Sequence, residues 1–272
     1  MSVLLQISDP HFGTEQAAVL EALAALSQQQ RPDLVVLSGD ITQRARPAQF
    51  AAARAFIDRL GVPLLSLAGN HDIPLFDLGQ RLFHPYAHYS AAFGADLEPV
   101  HCSNHLLVLG VNTTRWYRHK SGEVSLAQIE RVARRLKSAT PGQLRVVVVH
   151  QPVAVPSPSE EHNLLRGHAG ALQRWAGAGC DLVMGGHIHL PYVLPMPGLV
   201  RPMWAVQAGT AVSRRVRDGA PNSVNLLRWG GVGALGVCLI EQWDYNAAAQ
   251  GFVRQRVTEV HPARAGGAAL EL

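Results

Sequence analysis

The sequence predicts an α/β fold, and three observations carry that expectation. Short apolar runs at residues 3–7, 34–37, 64–67, 106–111, 146–149 and 181–184 have the length and continuity of strands buried on both faces of a mostly parallel sheet. Stretches with helical punctuation lie between most of them. The last part of the chain changes character: runs at 203–207, 225–229, 236–245 and 252–260 are strand-like with no long helix between them, which predicts a second, antiparallel sheet in the same domain.

The first run, Val3–Ile7, empties into Ser8-Asp9-Pro10-His11, where Pro10 cannot donate to a ladder and ends the strand. Thr14 is placed to cap a helix reaching about Gln30, with Ala18, Leu20, Leu23, Ala24 and Leu26 as its apolar stripe. The next run, Leu34–Leu37, stops on Ser38-Gly39-Asp40. Gly39 permits a sharp turn, and Asp40 is left just past the strand's carboxyl end, where open α/β sheets bind their ligands.

Pro47 suits the first position of a second helix, which Gly61 ends. Leu64–Leu67 then runs into Gly69-Asn70-His71-Asp72. Asn70 offers a carbonyl oxygen, His71 an acid or base, and Asp72 a partner to orient it. Residues 74–94, with His84, Tyr86, His88 and Tyr89, read as an irregular aromatic segment that packs more than it overhangs.

After the strand Leu106–Val111, Ser125 and Gln128 form a capping box ahead of a helix reaching about Lys137. The strand Val146–Val149 is followed at once by His150, and the proline-rich loop from Gln151 to Pro158 is placed to wall the mouth of a cleft. A helix from about His168 to Ala176 leads to Asp181–Met184, which ends in Gly185-Gly186-His187-Ile188-His189. Gly231–Gly236 spells G-x-G-x-x-G, but it lies between two strand-like runs and opens no helix, so a glycine-rich hairpin is expected there. Residues 262–272 read as a frayed tail.

With 272 residues, 47% of them apolar, the chain can bury a large core, and a single domain over 1–272 is expected, its ligand-bearing part at about 3–210 and its C-terminal strands at about 203–260. Charged residues are 16%, below the roughly 25% of an average globular domain, which excludes a disordered polyelectrolyte. The 24 basic against 20 acidic residues suit an anionic substrate without marking a nucleic-acid surface. Arg214, Arg215 and Arg217 follow the run ending near Gln207, and Arg214 and Arg217 are the candidate substrate contacts.

Three cysteines, Cys102, Cys180 and Cys238, lack metal spacing and are expected as buried small hydrophobes of a reducing compartment. No basic leader precedes the first strand and no apolar run reaches about 18 residues, so a cytoplasmic protein without a membrane partner is expected.

Asp9, His11, Asp40, Asn70, His150, His187 and His189 thus each lie just past a strand. Carboxylate and neutral imidazole suit borderline metals such as manganese, iron, zinc or cobalt. Seven such groups exceed what one ion needs, and two ions sharing Asp40 fit the count.

The ordered series Asp9-x-His11, Gly39-Asp40, Gly69-Asn70-His71-Asp72, His150 and Gly186-His187-x-His189 resembles the calcineurin-like metallophosphoesterases, and especially their class III cyclic nucleotide phosphodiesterase branch. The resemblance implies a four-layer αββα sandwich of two mixed sheets flanked by helices. It implies one metal on Asp9, His11, Asp40 and His189 and another on Asp40, Asn70, His150 and His187. The activity it implies is hydrolysis of phosphodiesters, with 3′,5′-cyclic nucleotides as the narrower expectation, by in-line attack of a metal-bridging hydroxide. His71, oriented by Asp72, would serve the leaving oxygen.

A phosphomonoesterase or phosphoprotein phosphatase shares that metal chemistry and is the alternative. A nuclease would call for a basic groove, and a non-catalytic binding protein for lost ligands; neither is evident. The expected partner is a small phosphoester such as a nucleotide, and a homodimer is compatible with the sequence.

Overall fold

The computed structural model describes residues 1–231 and 236–264. In chain order the strands are β1 (Ser2–Ile7), β2 (Leu34–Ser38), β3 (Leu64–Leu67), β4 (Val100–Cys102), β5 (Leu106–Gly110), β6 (Leu144–Val148), β7 (Leu182–Gly185), β8 (Tyr192–Pro195), β9 (Trp204–Gln207), β10 (Ser223–Trp229), β11 (Cys238–Asn246) and β12 (Gly251–Val260). The helices are α1 (Ala17–Gln30), α2 (Pro47–Leu60), α3 (Leu78–Phe83), α4 (Ala87–Phe93), α5 (Leu126–Lys137) and α6 (His168–Gly177).

These strands form two six-stranded sheets, ordered β12-β11-β10-β1-β2-β3 and β4-β5-β6-β7-β9-β8. Both are mixed. In the first, β1, β2 and β3 are parallel while β10, β11 and β12 continue antiparallel from β1. In the second, β5, β6, β7 and β9 are parallel, with β4 and β8 as antiparallel edges.

Strand alternation explains why the apolar runs are continuous. Val3, Leu5, Ile7, Val35 and Leu37 pack against α1 and α2, whereas Leu4, Leu34 and Val36 face the other sheet. In the second sheet Leu107, Leu109 and Val147 pack against α5 and α6, while Leu106, Val108, Val146 and Val148 turn inward. Two helix–sheet cores and one sheet–sheet core make four layers, the αββα sandwich that the resemblance implied.

The division of strands differs from the sequence reading. One parallel sheet followed by one antiparallel sheet was expected; instead the parallel strands are shared between two sheets, and the C-terminal strands complete them. β9 joins β7 in parallel, and β10–β12 extend the sheet begun by β1. Apolar content cannot report this, because a strand between helices and another sheet is buried on both faces in either arrangement. β4 and β8 have no counterpart in the sequence reading; both are short edge strands.

Local expectations also meet corrections. α1 starts at Ala17 after Gln16, and Thr14 instead donates its hydroxyl to the His11 carbonyl, 2.9 Å away. The buried side of α1 is Val19, Ala22, Leu23, Ala24, Leu26 and Ser27, with Ala18 exposed and Leu20 half-buried. Residues 74–94 hold the two short helices α3 and α4, whose Tyr89 is buried and bonded to Ser66. Cys102 is exposed; Cys180 and Cys238 are buried and all three are free.

Pro262–Arg264 are anchored, since Arg264 pairs with Asp181; residues 265–272 of the expected frayed tail lie outside the described residues. So do residues 232–235 of the G-x-G-x-x-G stretch, but β10 and β11 on either side of it pair antiparallel, Trp229 opposite Cys238. Among the described residues no helix is long and apolar enough to cross a membrane.

Buried polar groups join the two sheets behind the strand ends. Gln6 of β1 donates to the Gly185 carbonyl at 2.9 Å, and Asn225 of β10 donates to Gln6 Oε1 at 2.9 Å and to the Gln207 carbonyl at 3.1 Å. Each such group would be costly if unpaired, so the network fixes how the sheets sit on each other.

Candidate metal centre

The carboxyl ends of β1, β2 and β3 meet those of β6 and β7 at one place. Asp9 and His11 follow β1, Asp40 follows β2, Asn70 and His71 follow β3, His150 follows β6, and His187 and His189 follow β7. The site therefore straddles both sheets. Neighbouring loops are laced by backbone bonds, from Asp9 N to Gly39 O, His11 N to Asp40 O and Gly186 N to His150 O.

The backbone is strained where these side chains leave it. Asp9, His11, Asp40, His187 and His189 have φ values of 49°, 43°, 47°, 74° and 54°. Left-handed backbone at a non-glycine residue costs on the order of 1–3 kcal/mol and persists only where its surroundings enforce it. The glycines allow the enforcing approach: a Cβ on Gly69 would collide with the Asp40 backbone, one on Gly39 with the His150 ring, and one on Gly186 with Ser8 and Asp9.

Potential ligand atoms gather in three groups, Asp9-His11-His189, His11-Asp40-His71 and Asp40-His150-His187, each with its atoms within 4.8 Å of one another. Asp40 lies between the outer groups, with Oδ2 3.8 Å from His11 Nε2 and Oδ1 3.2 Å from His150 Nε2.

Most members have one polar atom tied down and another turned inward. Asp9 Oδ2 accepts from Ser8 Oγ at 2.6 Å and from the His187 backbone at 2.9 Å. His150 donates from Nδ1 to the Ser38 carbonyl, and His189 from Nδ1 to the Arg215 carbonyl at 2.6 Å. Among the described residues, Asp9 Oδ1, Asn70 Oδ1, His150 Nε2 and His187 Nδ1 are buried without a hydrogen-bond partner. Native proteins rarely leave such atoms unpaired, and outer partners that orient a ring while leaving its second nitrogen free are the usual support of a metal ligand. The donor set fits divalent metal ions.

Burial works to raise the pKa of Asp9, but the nearby His189 and His150 rings hold it at about 2. Burial likewise opposes ionisation of Asp40, yet His150 and its other ring neighbours keep it well below the ordinary carboxylate range. Burial lowers His11 to about 3 and His187 to about 4, whereas the Asp40 carboxylate outweighs burial at His150 and raises it to about 9. Two ionised carboxylates are thus buried among imidazoles, with two of the rings in the neutral form that can bind a metal.

Asp72 does not orient His71. Its carboxylate accepts from the backbone of Ile41 at 3.0 Å, Thr42 at 2.8 Å and Gly69 at 2.8 Å, so it clamps the loop after β2 to the loop after β3. Burial and the Asp40 charge raise it to about 7 despite these bonds. His71 is oriented by a backbone group instead: Nδ1 lies 3.0 Å from the Gln43 carbonyl, and Nε2, on the cavity side, lies 3.2 Å from Arg215 Nη1.

A cavity of about 520 Å³ opens over the cluster, lined by Asp40, Asn70, His71, His187 and His189 and by Lys120, Glu160, Asn163, Arg215 and Arg217. Arg217 reaches it, paired with Glu160. Arg214 is exposed and absent from the lining, and Arg215 takes the place expected for it. Sequence reasoning also missed Glu160 and Asn163, which carry no strand-end signal, and Thr210, which lies just past β9 and donates its hydroxyl to the Asp9 carbonyl.

Comparison with known proteins agrees with this geometry. Residues 2–191 match the family model described as calcineurin-like phosphoesterase. A probable cyclic nucleotide phosphodiesterase of Synechococcus sp. is 34% identical over 80 residues, covering 26% of this chain and 31% of that protein. A cAMP/cGMP dual specificity phosphodiesterase of Mycobacterium tuberculosis is 25% identical over 202 residues, covering 69% of this chain and 61% of that one. The matches thus span less than two thirds of these relatives' lengths.

Among solved structures, a dimetal phosphatase from Danio rerio superposes with a TM-score of 0.68 at 12% identity, covering 96% of this chain and 99% of that one, a likeness of fold. Every strand end from Asp9 to His189 that contributes to the cluster falls within the matched residues, and the chain belongs to the calcineurin-like phosphoesterase family.

Proposed function

We propose that the protein is a two-metal phosphoesterase that prefers phosphodiesters. The observation that carries this reading is the convergence of inward-facing ligand atoms on both sides of Asp40. Asp9, His11, Asp40 and His189 would hold one ion, and Asp40, Asn70, His150 and His187 the other; manganese, iron, zinc and cobalt all suit such donors. When bound, a metal pair supplies Lewis-acid polarisation of phosphoryl oxygens and an activated water.

The chain's own residues account for the rest. His71 donates its Nδ1–H to the Gln43 carbonyl and turns Nε2 to the cavity; as the imidazolium it can pass its Nε2 proton to the leaving alcohol oxygen as the P–O bond breaks, and is left neutral. Asp72 holds the two loops that carry Asp40 and His71 in register. Lys120 and Arg215 give the cavity a positive rim for an anion, while Arg217 is paired with Glu160.

Preference for diesters rests on what surrounds the ligands. Phosphoprotein phosphatases of the family that the sequence resembles carry an arginine directly before Gly-Asn-His, where this chain has the buried Ala68. They also carry an Asp-Arg-Gly shortly after Gly-Asp; here the stretch is Asp40–Ala45, and its Arg44 is exposed, over the Phe76 ring. Neither of those two positions supplies a guanidinium fork here, and the single fork of Arg215 in the cavity suits a singly charged diester better than a dianionic monoester.

Names of the matched relatives support cyclic nucleotides as candidate substrates. We also propose one domain, since β10–β12 complete the sheet of β1–β3. The test is kcat/KM for bis-nitrophenyl phosphate, nitrophenyl phosphate and cyclic AMP under identical manganese loading: the diester should exceed the monoester, and a clear monoester preference would overturn the diesterase reading.

A further inference from the structure

Two arginines line the cavity, and their circumstances differ. Arg217 is neutralised by Glu160. Arg215 has no carboxylate partner among the described residues, although it is half-buried. Its Nη1 lies 3.1 Å from Gln43 Oε1, 3.2 Å from His71 Nε2 and 3.3 Å from His11 Nδ1. A guanidinium has several N–H donors and one full charge, and here its neighbours are an amide oxygen and two imidazoles. None of them answers the charge.

The backbone that carries Arg215 is held firmly to the metal centre. Thr210 donates its hydroxyl to the Asp9 carbonyl at 2.5 Å and lies 2.8 Å from Ser213 Oγ, which in turn accepts from Arg215 N at 3.1 Å. The Arg215 carbonyl accepts from His189. Ala211 N and Gln16 N tie the same loop to the end of β1 and to the start of α1, through the Ser8 and Val212 carbonyls. This is an arm fixed at its base, with its cation beside His71.

We propose that Arg215 is the phosphate-binding residue of the site, donating to a non-bridging phosphoryl oxygen and so holding the substrate between His71 and the metal ligands. The position requires a ligand with an anionic, multiply accepting group at the histidine cluster, and a phosphoryl group meets both demands. This assignment rests on the phosphoesterase reading and adds to it the residue that sets substrate affinity. Because His189 is oriented by the Arg215 carbonyl, replacing the side chain leaves that support in place.

The experiment compares wild type with Arg215→Ala, Arg215→Gln and Arg215→Lys in manganese-loaded protein. Metal content should be unchanged. Loss of a charged hydrogen bond should raise KM for bis-nitrophenyl phosphate about 10- to 100-fold in the alanine and glutamine variants, with a smaller change in kcat. Affinity for inorganic phosphate, measured by calorimetry, should fall by a similar factor.

Lysine should recover part of both losses, and added guanidinium ion should restore part of the alanine variant's turnover. Wild-type KM and phosphate affinity in the alanine and glutamine variants would overturn the proposal, as would a loss of metal in both. A wild-type protein that turns over no phosphoester would overturn this and the functional reading together; an active wild type with indifferent variants would overturn this alone.

Discussion

Asp40 and His150 join the two sheets at the site: the carboxylate Oδ1 lies 3.2 Å from His150 Nε2, while the ring's Nδ1 is spent on the Ser38 carbonyl. The other carboxylate oxygen faces His11. A side chain placed this way between two donor groups is the proposed bridge. Asp40→Asn should therefore weaken both metals together, whereas His11→Ala or His150→Ala should mainly disturb one. Metal counts on purified variants decide it, and two ions retained per Asp40→Asn chain would remove the bridging role.

His71 lies beside the proposed ligands with its Nδ1 engaged by Gln43. His71→Ala should keep its metals and lose turnover, by about 100- to 10,000-fold for alkyl leaving groups and least for nitrophenolate, which needs no proton. Turnover measured across a leaving-group series gives the answer. An equal loss across the series would exclude proton transfer.

Gly69 is packed against the Asp40 backbone with no room for a Cβ. Gly69→Ala should cost about 1–3 kcal/mol of stability, as overpacked positions do, and should lower metal affinity by displacing Asp40. Urea unfolding of the metal-free variant, followed by metal binding, separates the two effects. A variant with wild-type values in both would mean that the loops are looser than their bonds imply.

Far from the site, Glu241 is buried on β11 and bonded to Arg228 at 3.0 Å and Trp243 at 2.9 Å. Burial opposes its ionisation, but these partners and Arg254 lower its pKa below the ordinary value. A folded pKa below the unfolded one contributes stability that is present above about pH 4.3 and is lost as pH falls through the folded value. Glu241→Gln should therefore flatten the acid side of a stability–pH curve measured by urea unfolding. A variant with an unchanged acid limb would assign that limb to other carboxylates.

Much of this was legible in the residues. Asp9, His11, Asp40, Asn70, His150, His187 and His189 each follow an apolar run, and a run ending on such a side chain marks a strand end whatever sheet it belongs to. Which sheet that is could not be read: β1 and β6 are both buried on two faces, and only their partners, β10 and β5 among them, distinguish them. Asp72 was misread because its neighbour in sequence, His71, is not its partner; its acceptors are spent on backbone donors some 30 residues away in the loop after β2. Arg215 and Arg214 are adjacent, and only the fold decides which of them faces the cavity.

The proposed mechanism requires two metal ions acting together on a phosphoester. Metal-stripped protein titrated with manganese, with ions bound per chain counted at each step alongside hydrolysis of bis-nitrophenyl phosphate, tests it most directly. Two ions per chain are expected, with turnover appearing as the second one binds. Full turnover with a single bound ion, or with none, would contradict that mechanism.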